Sequence, residues 1–347
     1  MDARLARDWY RSELTPLTAA LTPLALLFGA VVAARRALYR AGWLRSARVT
    51  VPVIVVGNVT VGGGGKTPLV RALVEALRER GWRPGIVSRG YGGSMSGAYP
   101  VGPDDDPARV GDEPVLLAGS APVTIGADRV AAARALIAAH PDVNVIVSDD
   151  GLQHYALRRD VEIVAIDATR GFGNGWLLPA GPLREPARRA READARVHTL
   201  SGSDRPLDQG GFRLDLAALP WRSVDGFTAA PDFTALPRGS VHAVAGIANP
   251  QRFFDMLAAM RIDAVTHAFP DHHPYTAHDL EFAGARAVLM TEKDAVKCRR
   301  IADARMFWLP LRASIDPALV DLIEDRLHGS QAARAAGVPR HQGASDL

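Results

Sequence analysis

The chain has 347 residues, enough for two ordinary domains, and 48% of them are apolar, as in a globular protein with a substantial core. Its 41 basic and 38 acidic residues give a net charge of only +3, which argues against a nucleic-acid-binding protein. The single cysteine, Cys298, excludes an internal disulfide framework, and no Cys/His grouping has the spacing of a zinc site.

The first notable element is an uncharged segment of 21 residues, 14–34, which reads LTPLTAALTPLALLFGAVVAA. As a helix it is just long enough for a hydrocarbon core of about 30 Å. Basic residues lie on both sides of it, so its orientation stays open. We expect a membrane anchor that either spans the bilayer or lies in its interface. A buried helix is an alternative because Pro16 and Pro23 interrupt the segment, and a cleaved signal peptide is another.

A strand, a glycine-rich loop and a helix are predicted next, between residues 51 and 81. Residues 51–57, VPVIVVG, form a β-branched run typical of a strand that is buried on both faces. The loop NVTVGGGGKT follows, and Pro68 is expected to open a helix that ends at Gly81. A phosphate-binding loop requires this context.

In such a loop, glycine backbone N–H groups approach the phosphates, the lysine reaches the β- and γ-phosphates, and the following hydroxyl binds Mg²⁺. The usual pattern has glycine where this chain has Thr60, and Val61 replaces the signature lysine of ParA-like proteins. The loop does not distinguish ATP from GTP, although no guanine-recognition signature is present. A glycine-rich turn that binds no nucleotide is the alternative. The predicted nucleotide-binding residues are Gly62, Gly63, Gly64, Gly65, Lys66, Thr67 and Pro68, and Lys66 is also a predicted catalytic residue.

Two adjacent carboxylates follow a later predicted strand. Residues 143–148, VNVIVS, are another buried-type strand, and DDGLQH follows directly. Acidic residues at the carboxyl end of such a strand hold Mg²⁺ in phosphate-loop proteins, so Asp149 and Asp150 join Thr67 as predicted metal ligands. A simple Asp-Asp-Gly turn is the alternative. Gln153 and His154 extend the motif, either beside the metal or in direct contact with ligands.

Eight motifs together resemble the tetraacyldisaccharide 4'-kinase family, and they occur in that family's order between residues 51 and 297. They are GNVTVGGGGKTP, SRGYGG, GDEP, GADR, DDGLQH, PAGPLREP, FPDHHPY and TEKDAVK. The resemblance implies a phosphotransferase that uses ATP and Mg²⁺. It would phosphorylate the 4'-hydroxyl of a lipid-linked, tetraacylated glucosamine disaccharide 1-phosphate, giving lipid IVA in lipid A biosynthesis. It also implies an inner (cytoplasmic) membrane location with the active site on the cytoplasmic side, and no nucleic-acid partner.

The resemblance also implies a catalytic pair. Asp112, in GDEP, would be the catalytic aspartate that acts on the sugar hydroxyl. A carboxylate with a pKa near 4 is a weak base towards an alcohol, so a partner would help it. His272, in FPDHHPY, would be that partner when two domains close. His273 is the rival, Asp271 could orient either histidine, and a metal site or a solvated turn are the other interpretations of these three residues.

Further residues of the motifs are predicted to bind substrate or to support the site. Arg129 is a candidate for binding phosphate or the anionic substrate, or else an exposed arginine at a helix start. Tyr91 either contacts a ligand or only packs, and Lys293 either binds phosphate or ribose or is a surface lysine. The supporting candidates are Arg89, Tyr91, Glu113, Arg129, Gln153, His154, Arg184 and Glu185.

The predicted fold is α/β: a P-loop NTPase-like domain with a mainly parallel sheet, a second and smaller α/β domain, and an N-terminal hydrophobic helix. The boundaries are 1–48 for the membrane-associated segment, 49–200 for the kinase domain, 201–237 for a linker with a possible two-stranded hairpin, 238–328 for the smaller domain and 329–347 for a mobile tail. No feature specifies an oligomeric state. The main rival function is a membrane-associated P-loop ATPase or GTPase switch, which should lack GPLREP and FPDHH.

Overall fold

The computed structural model describes residues 3–200 and 210–335, and these ranges contain fourteen strands in two sheets. In chain order the strands are β1 Val53–Gly57, β2 Pro84–Ser88, β3 Tyr99–Val101, β4 Val123–Ile125, β5 Val145–Asp149, β6 Val161–Asp167, β7 Ala195–Leu200, β8 Phe212–Ala218, β9 Arg222–Ser223, β10 Val241–Ala245, β11 Val265–Ala268, β12 Ala287–Thr291, β13 Met306–Leu309 and β14 Leu311–Ile315.

Ten α-helices lie in the same ranges. They are α1 Ala3–Asp8, α2 Pro16–Ala20, α3 Thr22–Arg40, α4 Lys66–Glu79, α5 Pro107–Val110, α6 Asp112–Ala118, α7 Arg129–Ala139, α8 Pro250–Ala259, α9 Glu292–Cys298 and α10 Pro317–Ala335.

The larger sheet has nine strands in the order β14-β8-β7-β6-β1-β5-β2-β4-β3. The strands from β8 to β4 run parallel, and the edge strands β14 and β3 are antiparallel to their neighbours. Strand β1 is buried on both faces, as its β-branched run predicts: Ile54 and Val56 pack in the core with α4, whereas Val53 and Val55 pack in the core with α7. The loops after β1 and β5 therefore meet at one edge of the sheet.

The smaller sheet has five strands in the order β11-β10-β12-β13-β9. All but β9 run parallel, and β9 pairs antiparallel with β13. The sequence predicts β10, β11 and β12 because each is a short apolar run, and it misses β13 and β9. Helix α8 packs Phe253 and Leu257 against this sheet. The carboxyl ends of β11 and β12 carry the FPDHHPY and TEKD motifs.

The chain passes from the larger sheet to the smaller one between β8 and β9, and it returns between β13 and β14. Strands β8 and β14 pair antiparallel, so the two connections start from neighbouring strands. The predicted linker, 201–237, contains β8 but not its antiparallel partner β14. Strands β8 and β9 both lie in this linker but belong to different sheets, so they do not form the possible hairpin. Residues 201–209 of this linker lie outside the described residues.

The C-terminal helix returns to the larger sheet. Leu319, Ile323 and Leu327 of α10 are fully buried in the same core as α4. Their four-residue spacing indicates one apolar helix face, but it does not identify the core that covers that face. Without that information, the sequence assigns residues up to 328 to the smaller domain, whereas the structure packs α10 against the larger sheet. Helix α10 continues to Ala335, so the first part of the predicted tail is helical, and residues 336–347 lie outside the described part of the chain.

The uncharged N-terminal segment is divided between two helices instead of forming one. Helix α2 ends at Ala20 and α3 begins at Thr22, with Pro23 in its first turn, where a missing N–H costs no helical hydrogen bond. Helix α3, with 19 residues, is long and apolar enough to cross a membrane by length and composition. Leu26 and Leu27 are 66% and 62% exposed, so α3 is not the buried core helix of the alternative interpretation.

Candidate active site

The loop that joins β1 to α4 has the backbone of a phosphate-binding loop. Gly65 precedes α4 at φ +76°, and a Cβ there would collide with the side chain of Thr199, so only glycine fits. Helix α4 begins at Lys66, two residues before the predicted start at Pro68, which places Lys66 and Thr67 in its first turn. Thr60 does not have a positive φ, so the glycine of the usual pattern is not required at that position.

The two aspartates at the carboxyl end of β5, the strand next to β1, have opposite electrostatic environments. Asp149 is fully buried, and its Oδ2 accepts a hydrogen bond of 3.1 Å from Ser88. Burial, and then the negative charges of Glu113 and Asp150, raise the pKa of Asp149 to about 7. Asp150 is half-buried at φ +46° and lies 3.5 Å from Lys66 Nζ and 3.0 Å from Arg184. Burial raises its pKa, but these cations outweigh that effect and hold the pKa well below its usual range.

This pair fits a divalent cation. The Oδ1 atom of Asp149 is buried without a hydrogen-bond partner, and Asp150 and Thr67 line the adjoining cavity. Two carboxylates and a hydroxyl are hard oxygen ligands, which Mg²⁺ prefers, and Mg²⁺ commonly completes its shell with phosphates and water. Among the described residues, no three His, Cys, Asp or Glu side chains form a metal-binding group. The turn with Asp271, His272 and His273 is therefore not such a group.

Three motif residues support the loop that carries the aspartates. Arg129 is 2% exposed, and its guanidinium donates hydrogen bonds to the backbone oxygens of Gly126 and Asp149. It is therefore not an exposed arginine, and it lies behind Asp149, away from the cavity wall. Gln153 donates to the backbone oxygen of Asn58. Burial, and then the charges of Arg129 and Arg89, lower the pKa of His154 to about 4, so its ring is neutral at physiological pH.

The predicted catalytic pair is in contact across the two sheets. His272 Nδ1 lies 3.0 Å from both carboxylate oxygens of Asp112, whose side chain is 3% exposed. Burial raises the pKa of Asp112, but the hydrogen bond with His272 and the charge of Lys293 outweigh it and leave the pKa below its usual value. His272 has φ +63°, a strained backbone conformation that is common at functional sites. The rival His273 instead contacts Asp279 at 3.3 Å.

The structure places Lys293 beside the Asp112–His272 pair. The sequence alone does not distinguish this position from that of a surface lysine. Lys293 Nζ lies 3.1 Å from Glu113 and 3.2 Å from Asp271. Burial lowers its pKa, but the charges of Glu113, Asp112 and Asp271 outweigh that and raise the pKa above the usual range. Lys293 is a half-buried bridge between these groups and not a surface lysine. Its position directly after β12, at the same sheet edge as the other motifs, was the available signal.

One cavity of about 1930 Å³ connects these groups. Lys66, Asp150, Arg89, Tyr91 and His272 all line it. Tyr91 is 62% exposed, and its ring centroid lies 5.1 Å from that of His272. The phosphate loop and His272 of the predicted pair therefore open on a shared space between the two sheets, large enough for more than one small ligand, whereas the buried Asp112 does not line it.

The N-terminal helix α3 forms part of the cavity wall through Phe28, Val31 and Val32. Basic side chains hold the end of the helix to the body: Arg35 donates to the backbone oxygen of Gln153 at 2.9 Å, and Arg36 contacts Glu192 at 2.6 Å and the buried Glu185 at 3.6 Å. Glu185 also accepts a hydrogen bond of 2.7 Å from Tyr155. In this structure Glu185 anchors α3.

A family model for tetraacyldisaccharide-1-P 4'-kinase, LpxK, matches residues 17–328. The chain belongs to this family. It is 51% identical over 331 residues to the tetraacyldisaccharide 4'-kinase of Xanthomonas euvesicatoria pv. vesicatoria, covering 92% of this chain and 94% of that protein. It is 50% identical over 334 residues to the enzyme of the same name from Azoarcus sp. strain BH72, covering 93% and 96% of the two chains.

A solved structure of the family has the same fold. The crystal structure of the "apo" form of LpxK from Aquifex aeolicus in complex with ATP matches with a TM-score of 0.73 and 28% identity, over 90% of this chain and 99% of that chain. The predicted family, the fold class and the kinase function in lipid A biosynthesis are confirmed for this LpxK family member. The ATPase or GTPase switch is not favoured.

Proposed function

We propose that this LpxK family member transfers the γ-phosphoryl group of ATP to the 4'-hydroxyl of a tetraacylated glucosamine disaccharide 1-phosphate, forming lipid IVA and ADP. The observation that carries this proposal is the shared cavity: Lys66 of the phosphate loop and His272 of the catalytic pair line the same space, although they belong to different sheets. Phosphoryl transfer needs such a convergence of a phosphate cradle and an acceptor site.

ATP would occupy the loop of residues 62–67. Its phosphates replace the carboxylate of Asp150 as the partner of Lys66 Nζ, which lies 3.5 Å from that carboxylate. The ATP complex of the Aquifex aeolicus protein supports this choice of nucleotide. Thr67, Asp149 and Asp150 would hold Mg²⁺, which when bound neutralises charge on the phosphates. Arg184 compensates the charge of Asp150 and so keeps the carboxylate ionised.

Asp112 would receive the substrate. The 4'-hydroxyl oxygen attacks the γ-phosphorus, the bond from that phosphorus to the bridging oxygen of ADP breaks, and the hydroxyl proton passes to a carboxylate oxygen of Asp112. His272 holds Asp112 through the 3.0 Å contact of Nδ1. Because the pKa of Asp112 lies below its usual value, Asp112 is a weak base. A loose phosphoryl-transfer transition state needs little base strength, so its main contribution is to orient the hydroxyl.

Helix α3 supports an interfacial location instead of a full membrane crossing. Arg35 and Arg36 bind the protein body, which leaves residues 22–33 free of these contacts. Twelve residues at 1.5 Å per residue extend only about 18 Å, less than the roughly 30 Å of the hydrocarbon core. The exposed face with Leu26 and Leu27 would enter the inner membrane surface from the cytoplasmic side, where ATP is present. The lipid-linked substrate would then reach the cavity along Phe28 and Val31.

The test is transfer of labelled γ-phosphate from ATP to tetraacyldisaccharide 1-phosphate in detergent micelles with Mg²⁺. We expect labelled lipid with the phosphate at the 4' position, and no product with Lys66→Ala. Arg78→Ala, which removes an exposed cation from the same helix, is the matched control and should keep activity. Release of free phosphate without a lipid product, from folded protein, would contradict the proposed acceptor.

A further inference from the structure

We infer that Lys293 is a positioning residue for phosphoryl transfer: it fixes the His272 ring in the tautomer protonated on Nδ1 and holds that ring against Asp112. The inference rests on the proposed role of the Asp112–His272 pair. Lys293 is the second residue of α9, which begins directly after β12 of the smaller sheet. Lys293 therefore reaches the pair from the smaller sheet, whereas the phosphate loop belongs to the larger sheet.

The Lys293 ammonium joins groups from both sheets. Its Nζ lies 3.1 Å from Glu113 and 3.8 Å from Asp112, both on α6. It also lies 3.2 Å from Asp271 and 3.4 Å from His272 Nε2, both after β11. Its side chain is 17% exposed, so these contacts are only weakly screened by solvent. One side chain thus contacts both members of the catalytic pair and a carboxylate neighbour of each.

The chemistry of these contacts selects the tautomer of His272. An ammonium has three N–H donors and no acceptor, so a hydrogen bond to His272 Nε2 requires that this nitrogen carry a lone pair. The ring proton must then lie on Nδ1, which faces the carboxylate of Asp112 at 3.0 Å. An N–H on Nε2 would point at a cation. The other groups that face the ring are the Asp271 carboxylate, 3.7 Å from Nε2, and the ring of Tyr91.

The composition of the chain supports a specific need for lysine here. Of its 41 basic residues only Lys66, Lys293 and Lys297 are lysines, and all others are arginines. Lys66 belongs to the phosphate loop, where a compact ammonium is required. An ammonium presents three tetrahedral donors, which suits the three separate acceptors Glu113, Asp271 and His272, whereas the planar guanidinium of arginine suits one bidentate partner.

The kinetic test compares Lys293→Met, Lys293→Arg, His272→Ala and the double variant Lys293→Met/His272→Ala. We expect Lys293→Met to lower kcat by about 10- to 100-fold with the KM for ATP changed less than about threefold, and Lys293→Arg to restore only part of kcat. Because Lys293 acts through His272, Lys293→Met should cost almost nothing further in the His272→Ala background. Independent, multiplicative losses in the double variant would overturn the inference.

Arg300→Met is the matched control. Arg300 follows α9 and contacts Asp106 of the larger-sheet unit at 2.8 Å, so its removal also deletes a cation that joins the two units, but away from the cavity. It should leave kcat within about twofold. If Lys293→Met behaves like Arg300→Met while His272→Ala is slow, the positioning role of Lys293 is contradicted and the catalytic pair stands. If His272→Ala keeps full kcat, the proposed pair itself is contradicted.

A spectroscopic readout tests the tautomer independently of activity. Protein with ¹⁵N-labelled histidine gives side-chain nitrogen shifts that distinguish the two neutral tautomers, and the His272 signals are those missing from His272→Ala. We expect the Nδ1–H form in the native protein. In Lys293→Met, Nε2 faces Asp271 with no cation between them, so we expect the Nε2 signal to shift while Nδ1 keeps its proton against Asp112. A native Nε2–H tautomer, or identical spectra for the two proteins, would overturn the inference.

Discussion

His272 Nδ1 lies 3.0 Å from both carboxylate oxygens of Asp112, although 160 positions separate the two residues and they follow strands of different sheets. The contact exists only while the two sheets are close together. Lys293 and the pair Arg71–Glu292, at 2.8 Å, join the same two parts of the chain. We therefore expect closure of the cleft and assembly of the proposed catalytic pair to be one event, which would give a physical reason for a site shared between two units.

Replacement of His272 should separate transfer from nucleotide binding. We expect His272→Ala to lower kcat by about 10- to 100-fold while the Kd for ATP stays within about threefold, because the ring supports Asp112 and does not belong to the phosphate loop. Steady-state kinetics and a nucleotide-binding titration check this. His273→Ala is the control: its ring contacts Asp279 and should be dispensable for turnover. Equal losses in both variants would contradict the assignment.

Two glycines with similar backbones test the phosphate loop. Gly65 and Gly81 have φ of +76° and +83°, but a Cβ at Gly65 would collide with Thr199, whereas a Cβ at Gly81 meets open space. Both alanine substitutions incur the left-handed backbone cost of about 1–2 kcal/mol. Only Gly65→Ala should abolish ATP binding, because the loop must move away from Thr199. Calorimetric titration with ATP measures the difference, and retained affinity in Gly65→Ala would refute it.

The two aspartates predict opposite pH effects on the free energy of unfolding in metal-free protein. The pKa of Asp149 is raised to about 7, so the folded state binds more protons than the unfolded state between about pH 4 and pH 7. The stability of the native protein therefore falls with rising pH across that window, and Asp149→Asn should raise the free energy of unfolding above pH 7. Denaturant unfolding at several pH values measures this change.

Asp150→Asn is the control with the opposite sign. The pKa of Asp150 lies below its unfolded value because of Lys66 and Arg184, so its ionised form stabilises the folded state above about pH 4. We expect Asp150→Asn to lower the free energy of unfolding at pH 7. A stabilisation by both variants, or by neither, would show that the electrostatic description of the pair is wrong.

Helix α3 should attach the protein to membranes. Leu26→Asp/Leu27→Asp places two charges on its exposed apolar face, and we expect at least a tenfold loss of binding to anionic vesicles in a sedimentation experiment. The Kd for ATP should not change. Val265→Asp, at a 43% exposed apolar residue of β11, is the control for a charge introduced on another exposed surface. Equal vesicle binding by all three proteins would exclude α3 as the membrane contact.

Local patterns in the sequence were sufficient for the elements that carry the motifs. The apolar runs predicted β1 and β5, because parallel strands covered on both faces leave continuous apolar stretches. Once those strands are placed, the phosphate loop and Asp149 must meet at one sheet edge. The start of α4 at Lys66 was missed because the rule for proline at a first turn permits more than one starting residue.

The features that the sequence did not predict depend on long-range packing. Helix α10 buries Leu319 and Ile323 in the larger core, and strand β14 pairs with β8, but neither sequence pattern names its partner. Arg129 occurs in a family motif, yet its burial behind Asp149 follows from the packing of α7 and not from its residue type. Lys293 has three acceptors only because two sheets converge on it.

The central claim, that Asp112 orients the acceptor hydroxyl in a site where nucleotide binding is separate, is tested most directly by single-turnover transfer. Asp112→Ala, saturated with labelled ATP and mixed with tetraacyldisaccharide 1-phosphate, should bind ATP like the native protein and form labelled lipid at least about 100-fold more slowly. A native transfer rate in this variant, with the same lipid product, would contradict the account.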